Sequence, residues 1–167
     1  MSSRLRVLGI DPGSLLCGWG VVDEVSGGYA HVDCGVVEAP RGAPLAERLD
    51  RIYRGLRETI EANAPQVAAV ESVFFAANVK SAIVLGQARG VALLAAAHSG
   101  LPVHEYSPTQ IKKALVGYGR ADKTQVAAMV QSLLGLPEPA QADASDALAA
   151  ALCHLASYRY LQMVERD

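Results

Sequence analysis

Along this chain the apolar positions change period, and each change marks an element. The run Leu5-Arg6-Val7-Leu8-Gly9-Ile10-Asp11 is strand-like and stops at the turn tripeptide Pro12-Gly13-Ser14. Gly18 to Val22 and Tyr29 to Val37 read as two further strands, with Gly27-Gly28 between them as a hairpin signal. From Leu45 to Asn63 the residues Leu45, Leu49, Ile52, Tyr53, Leu56 and Ile60 recur at helical spacing. Val67 to Glu71 is short and apolar up to its last residue, as in a strand buried inside a sheet. A long Ala- and Leu-rich helix follows from Val79 to Ala97, then a strand from Pro102 to Tyr106, and Ser107-Pro108 opens another helix. Gly117-Tyr118-Gly119 turns into a helix over Lys123 to Leu134. Gly135 to Gln141, with Pro137 and Pro139, is a loop, and the last helix spans Asp143 to Gln162.

Three strands joined by short turns, then helices alternating with strands, predict an α/β domain: a mixed five-stranded sheet flanked by helices on both faces. This order is compatible with the RNase H-like fold. No repeat, low-complexity segment or linker interrupts residues 1–167, so a single domain is expected.

Composition narrows the class. The chain is 51% hydrophobic and 19% charged without a run of like charge, which excludes a disordered or fibrous protein. The first residues lead straight into a strand, and the apolar stretch Val91 to Ala97 is too short to span a bilayer, so a cytoplasmic protein is expected. Cys17, Cys34 and Cys153 lack the spacing of a zinc site or disulfide scaffold and read as reduced, mostly buried thiols. The net charge is −2, but it is segregated. Residues 1–77 hold seven Lys/Arg against ten Asp/Glu and residues 124–167 two against five. Residues 78–123 between them hold six basic residues (Lys80, Arg89, Lys112, Lys113, Arg120, Lys123) against Glu105 and Asp122. A basic block beside acidic ones suits a DNA-facing surface next to a cation site.

Four acids stand out against their surroundings. Asp11 and Glu71 each end an apolar strand, where a carboxylate costs free energy unless it has a partner. Each could also simply face water or accept turn amides. Asp143 and Asp146 stand at i and i+3 at the start of the last helix, on one face. Acids there also meet the helix dipole, or cap the helix. The small residues around them (Ala142, Ala144, Ala147, Ala149, Ala150) suggest instead a helix pressed into the body of the protein. Carboxylates brought together repel unless cations neutralise them. Mg²⁺ prefers oxygen ligands, and two such ions roughly 3.5–4 Å apart can drive in-line phosphodiester cleavage. Asp11, Glu71, Asp143 and Asp146 could supply that site, with no competing His or Cys set.

Three separated blocks carry a resemblance: Leu8-Gly-Ile-Asp-Pro-Gly-Ser14, Leu85-Gly-Gln-Ala-Arg-Gly-Val91 and Gln141-Ala-Asp-Ala-Ser-Asp-Ala-Leu148. Together, and in this order, they resemble the signature blocks of RuvC-type Holliday junction resolvases. The resemblance implies that Asp11, Glu71, Asp143 and Asp146 are the catalytic, metal-binding carboxylates, with two Mg²⁺ ions per site for which Mn²⁺ substitutes. Some family members carry His at the position of Asp143. It also implies a homodimer that binds a four-way DNA junction and nicks two strands symmetrically to leave 5′-phosphates, in cooperation with branch-migration helicase proteins.

The family pattern favours Phe74 over Phe75 as an aromatic that contacts bases at the open crossover; core packing is the alternative for both. Lys112 and Lys123 match basic positions the family uses near the scissile phosphate, where solvated helix faces are the alternative. Lys80, Lys113 and Arg120 are candidate backbone contacts without such a match. Gly86 and Gly90, four apart in the long helix, would admit a close two-fold helix contact or packing onto the sheet. Three rivals remain. An actin-like ATPase fragment would need a second glycine-rich turn and a second domain. A non-catalytic junction binder would not need all four acids. An RNA-processing nuclease of the same fold would not need the Gln-Ala-Arg-Gly block.

Overall fold

The computed structural model describes residues 4–72 and 77–164. Strands β1 (Arg6–Asp11), β2 (Leu16–Val25) and β3 (Gly28–Glu38) form the antiparallel meander, followed by α1 (Leu45–Asn63) and β4 (Val67–Glu71). Helix α2 (Val79–His98), β5 (Val103–Tyr106), α3 (Pro108–Val116), α4 (Lys123–Leu134) and α5 (Ala142–Val164) complete the chain. The sheet order is β3-β2-β1-β4-β5, with β1 antiparallel to β2 and parallel to β4. β1 is the central strand, and its Val7, Leu8 and Ile10 are fully buried.

Period-two alternation along the strands splits the core into two layers. On one face Val7, Val22, Val67 and Ala69 pack with Ile111, Val126, Val130 and the α5 residues Leu148, Leu152 and Leu155. On the other, Leu8, Ile10, Val21 and Val70 pack with Ile52, Leu56 and Ile60 of α1 and with Ala92 and Ala95 of α2.

The first two hairpin strands are longer than apolar periodicity implies. β2 continues through Asp23 and Glu24, and β3 pairs with it from Gly28 to Glu38. Ion pairs hold these polar positions in the sheet. Arg6 donates to both carboxylate oxygens of Asp23 at 2.7 and 2.9 Å, and Arg159 of α5 donates to Glu24 at 3.1 Å. A hydrophobic pattern is blind to strand residues paired in this way.

Capping sets the helix starts. Ser107 with Gln110 and Asp122 with Gln125 form reciprocal capping boxes at α3 and α4, and Asn78 accepts from the Ser81 amide at α2. At α5 the cap is Gln141, whose Oε1 accepts from the amides of Asp143 and Ala144 at 2.9 and 3.2 Å.

α5 lies unusually close to the sheet because glycines face it. A Cβ at Gly9 would collide with the Ala147 carbonyl, one at Gly18 with the Asp143 carbonyl, and one at Gly20 with the Leu148 side chain. Contact between backbones thus replaces contact between side chains.

Candidate metal centre

Asp11 and Glu71 are the final residues of two adjacent parallel strands, which run in register with Ile10 opposite Val70. In-register neighbours project to the same side of a sheet, so both carboxylates leave the C-terminal edge together. The third acid arrives from above: with Gly9 and Gly18 beneath it, the first turn of α5 is low enough for Asp146 to reach them. Asp11, Glu71 and Asp146, all half-buried, offer oxygens that lie within 4.8 Å of one another.

The electrostatics of this cluster are those of crowded negative charge that two lysines only partly offset. Burial, then the charges of Glu71, Asp146 and Asp143, push the Asp11 carboxyl up to about 8. Glu71 and Asp146 are raised too, first by burial. Lys123, whose Nζ is 3.4 Å from Asp146 Oδ2, opposes the rise at both, and Lys112 opposes it at Glu71. Three hard oxygen donors crowded this closely favour a proton or a cation, and a divalent metal ion fits the set. Cys17 does not compete: burial pushes its thiol up to about 12, so it stays neutral.

Asp143 stands beside this trio. Its carbonyl packs over Gly18, and its Oδ2 accepts from Gln141 Nε2 at 3.1 Å, while its charge is felt at Asp11 and Asp146. Three of the four expected acids therefore converge directly, and the fourth is clasped at the rim. Gln141, in the third sequence block, is a functional residue that apolar periodicity does not reveal. Its signal is a glutamine directly before a helix that has no Ser, Thr, Asp or Asn at the capping position.

Next to the carboxylates a cavity of about 180 Å³ is lined by Glu71, Asp146, Lys112 and Lys123, with Pro108, Ile111, Val126 and Ala149 as its apolar wall. Lys112 and Lys123 come from α3 and α4 and face each other's elements across it. Lys113 and Arg120 are exposed and do not line this cavity, and Lys80 lies in the exposed first turn of α2. Phe74 and Phe75 lie outside the described residues. Gly86 and Gly90 are exposed, with nothing within 4 Å of an added Cβ, so neither packs onto the sheet. Cys17 and Cys153 are buried, Cys34 is half-buried, and all three are free.

Comparison with known proteins bears on this geometry. Residues 7–154 match the family model of crossover junction endodeoxyribonuclease RuvC. A protein of that name from Geobacter metallireducens is 54% identical over 150 residues, covering 90% of this chain and 92% of the relative. Another, from Trichlorobacter lovleyi, is 52% identical over 155 residues, covering 93% of this chain and 87% of the relative. The solved structure of T. thermophilus RuvC in complex with Holliday junction substrate superposes with a TM-score of 0.88 at 39% identity, covering 93% of this chain and 96% of that one. The match spans all three acidic strand and helix ends and the whole mixed sheet, so this chain belongs to the RuvC family of crossover junction endodeoxyribonucleases, within the RNase H-like fold.

Proposed function

We propose that this chain resolves four-way DNA junctions in recombination and repair, in the cytoplasm, by hydrolysing one phosphodiester in each of two strands. The observation that carries the reading is the convergence of Asp11, Glu71 and Asp146 beside a cavity rimmed by Lys112 and Lys123. Asp11, Glu71 and Asp146, with Asp143 at the rim, would hold the metal. Mg²⁺, two ions per site with Mn²⁺ as a substitute, would supply a nucleophilic water near neutral pH and stabilise charge on the phosphate. Lys112 and Lys123 bind the scissile phosphate and position it over the carboxylates. The water oxygen bonds to phosphorus, the bond to the 3′-oxygen breaks, and a 3′-hydroxyl and a 5′-phosphate remain. Lys80, Lys113, Arg120 and Phe74 serve the flanking DNA.

A homodimer would cut both strands. Val79, Ile83, Gly86, Gly90 and Leu94 recur at helical spacing on the exposed side of α2, with Val79 77%, Ile83 57% and Leu94 47% exposed. Its 20 residues include an 18-residue window of mean hydropathy 1.3, so α2 is by length and composition apolar enough to cross a membrane. Its alanine face is spent on the core, and a second copy of this chain is the occupant that suits the outer stripe. Two such stripes packed about a two-fold axis match the near-two-fold symmetry of a junction. Branch-migration helicases are the further partners expected.

The test is nicking of a synthetic four-way junction with Mg²⁺ by the native protein, Asp11→Asn and Asp146→Asn. Paired symmetric nicks that both variants lose, while junction binding persists, are expected. Equal affinity for junction and linear duplex would overturn the assignment.

A further inference from the structure

We infer that Ser14, Lys80 and Ser81, with Arg48 behind Ser14, form a second phosphate-binding subsite, which grips the strand being cut a few nucleotides from the scissile bond. The inference rests on the junction-cutting function proposed above.

Arg48 is the starting observation. Among the described residues Arg48 forms no ion pair with a carboxylate, a trait it shares with several other arginines, and what sets it apart is burial of its polar atoms. Its side chain is half-buried, and its Nε is buried without a hydrogen-bond partner. Its Nη1 donates only to the Ser14 hydroxyl, at 3.3 Å. It also stands near the start of α1, where the helix dipole repels a cation. A partly buried guanidinium without a counter-ion costs free energy, and its planar fork suits a phosphate.

Ser14 connects this cation to a hollow. Its Oγ accepts from Arg48, which leaves the hydroxyl hydrogen free to donate outward, polarised by the guanidinium behind it. The hollow, about 280 Å³, is lined by Ser14, Lys80 and Ser81 with Val84 and Leu85. Its polar side chains are two hydroxyls and an ammonium, and among the described residues no carboxylate lines it. Such a lining takes an anion.

Position identifies the anion. Ser14 follows Asp11 by three residues, a reach of at most ~10 Å. One DNA strand carries a phosphate every ~3.4 Å of helix axis. A strand whose scissile phosphate sits at the carboxylates therefore presents another phosphate to Ser14 within about three nucleotides. The scissile phosphate would then be held by Lys112 and Lys123 and its neighbour by Ser14 and Lys80, with Arg48 polarising Ser14 from behind.

The experiment is a phosphate-by-phosphate map. Junctions carrying one uncharged methylphosphonate at each of the three phosphates on either side of the cut are tested for nicking by the native protein, Arg48→Gln, Ser14→Ala and Lys80→Gln. The native protein should lose about tenfold in apparent affinity at one of these positions, the size of one charge-assisted contact. The variants should lose a similar factor on the unmodified junction and nothing further at that position. Thermal melting separates this from a folding defect, and Ser14→Ala and Lys80→Gln carry the test if Arg48→Gln folds poorly. Variants that stay as sensitive as the native protein at every position would overturn the subsite. Melting raised by inorganic phosphate in the native protein but not in the variants, without coupling to any DNA phosphate, would make it a free-anion site and also overturn it. If the native protein does not nick junctions at all, the proposed function fails instead.

Discussion

Asp11 is the residue whose environment departs furthest from that of a free aspartate. Burial and its acidic neighbours hold it protonated up to about 8, against an ordinary value of 3.8. Between those values the folded chain keeps a proton that the unfolded chain has released, so the stability of the metal-free protein falls as pH rises from about 4 to about 8. Asp11→Asn removes this penalty. In EDTA its melting temperature should gain on the native protein across that window and keep the gap above it, by about 2–4 °C per kcal/mol relieved. Saturating Mg²⁺ should close the gap from the native side. Melting curves that run parallel from pH 4 to 9 would refute the crowding account. Gln141 gives a second separation at this scale. Gln141→Ala loses the helix cap and should cost about 1 kcal/mol. Gln141→Glu keeps an acceptor for the amides of Asp143 and Ala144 but cannot donate to the Asp143 carboxylate. Melting should therefore recover with Glu while nicking stays about 10–100-fold low, the cost expected of losing a partner behind the proposed ligand Asp143. Recovery of both would reduce Gln141 to a cap.

At the scale of elements, the glycines of β1 and β2 set the height of α5 above the sheet, and that height brings Asp146 to Asp11. Gly18→Ala should cost about 1–3 kcal/mol through overpacking against the Asp143 carbonyl. It should also reduce nicking by about 100-fold, because a 1 Å shift of the acids is enough for that. Gly28→Ala, where an added Cβ meets nothing within 4 Å, should do neither. Equal behaviour of the two variants would mean that α5 relaxes freely. The elements themselves were legible in the sequence: α1, β4 and α4 have the limits that their periodicity and caps imply. The extra length of β2 and β3 was not, because Asp23 and Glu24 look like turn residues until Arg6 and Arg159 are seen to pair with them.

For the whole molecule, charge and symmetry are the relevant quantities. The central basic block delivers Lys112 and Lys123 to the cavity, while Lys80 lines a different hollow together with Ser14. Single Lys→Ala changes at 112 and 123 should each flatten the salt dependence of junction binding by about one unit of slope. The exposed stripe of α2 predicts a dimer. Ile83→Arg should sediment as a monomer and produce unpaired nicks, whereas a native protein that is already monomeric at micromolar concentration would sink the two-fold arrangement.

What the sequence determined by itself was local. Strand and helix periods, caps and turn residues act between neighbours, so they specified the elements, and acids at two strand ends and one helix start made Asp11, Glu71, Asp143 and Asp146 the candidates. Only the tertiary structure decided how that set divides, with Asp11, Glu71 and Asp146 in mutual reach and Asp143 clasped by Gln141. Distances between residues on different elements depend on strand register and on how closely α5 can approach, and no one-dimensional pattern carries them. The same holds for Arg48, an ordinary surface arginine in the sequence. It becomes conspicuous only where folding leaves its buried nitrogen beside Ser14 without a partner.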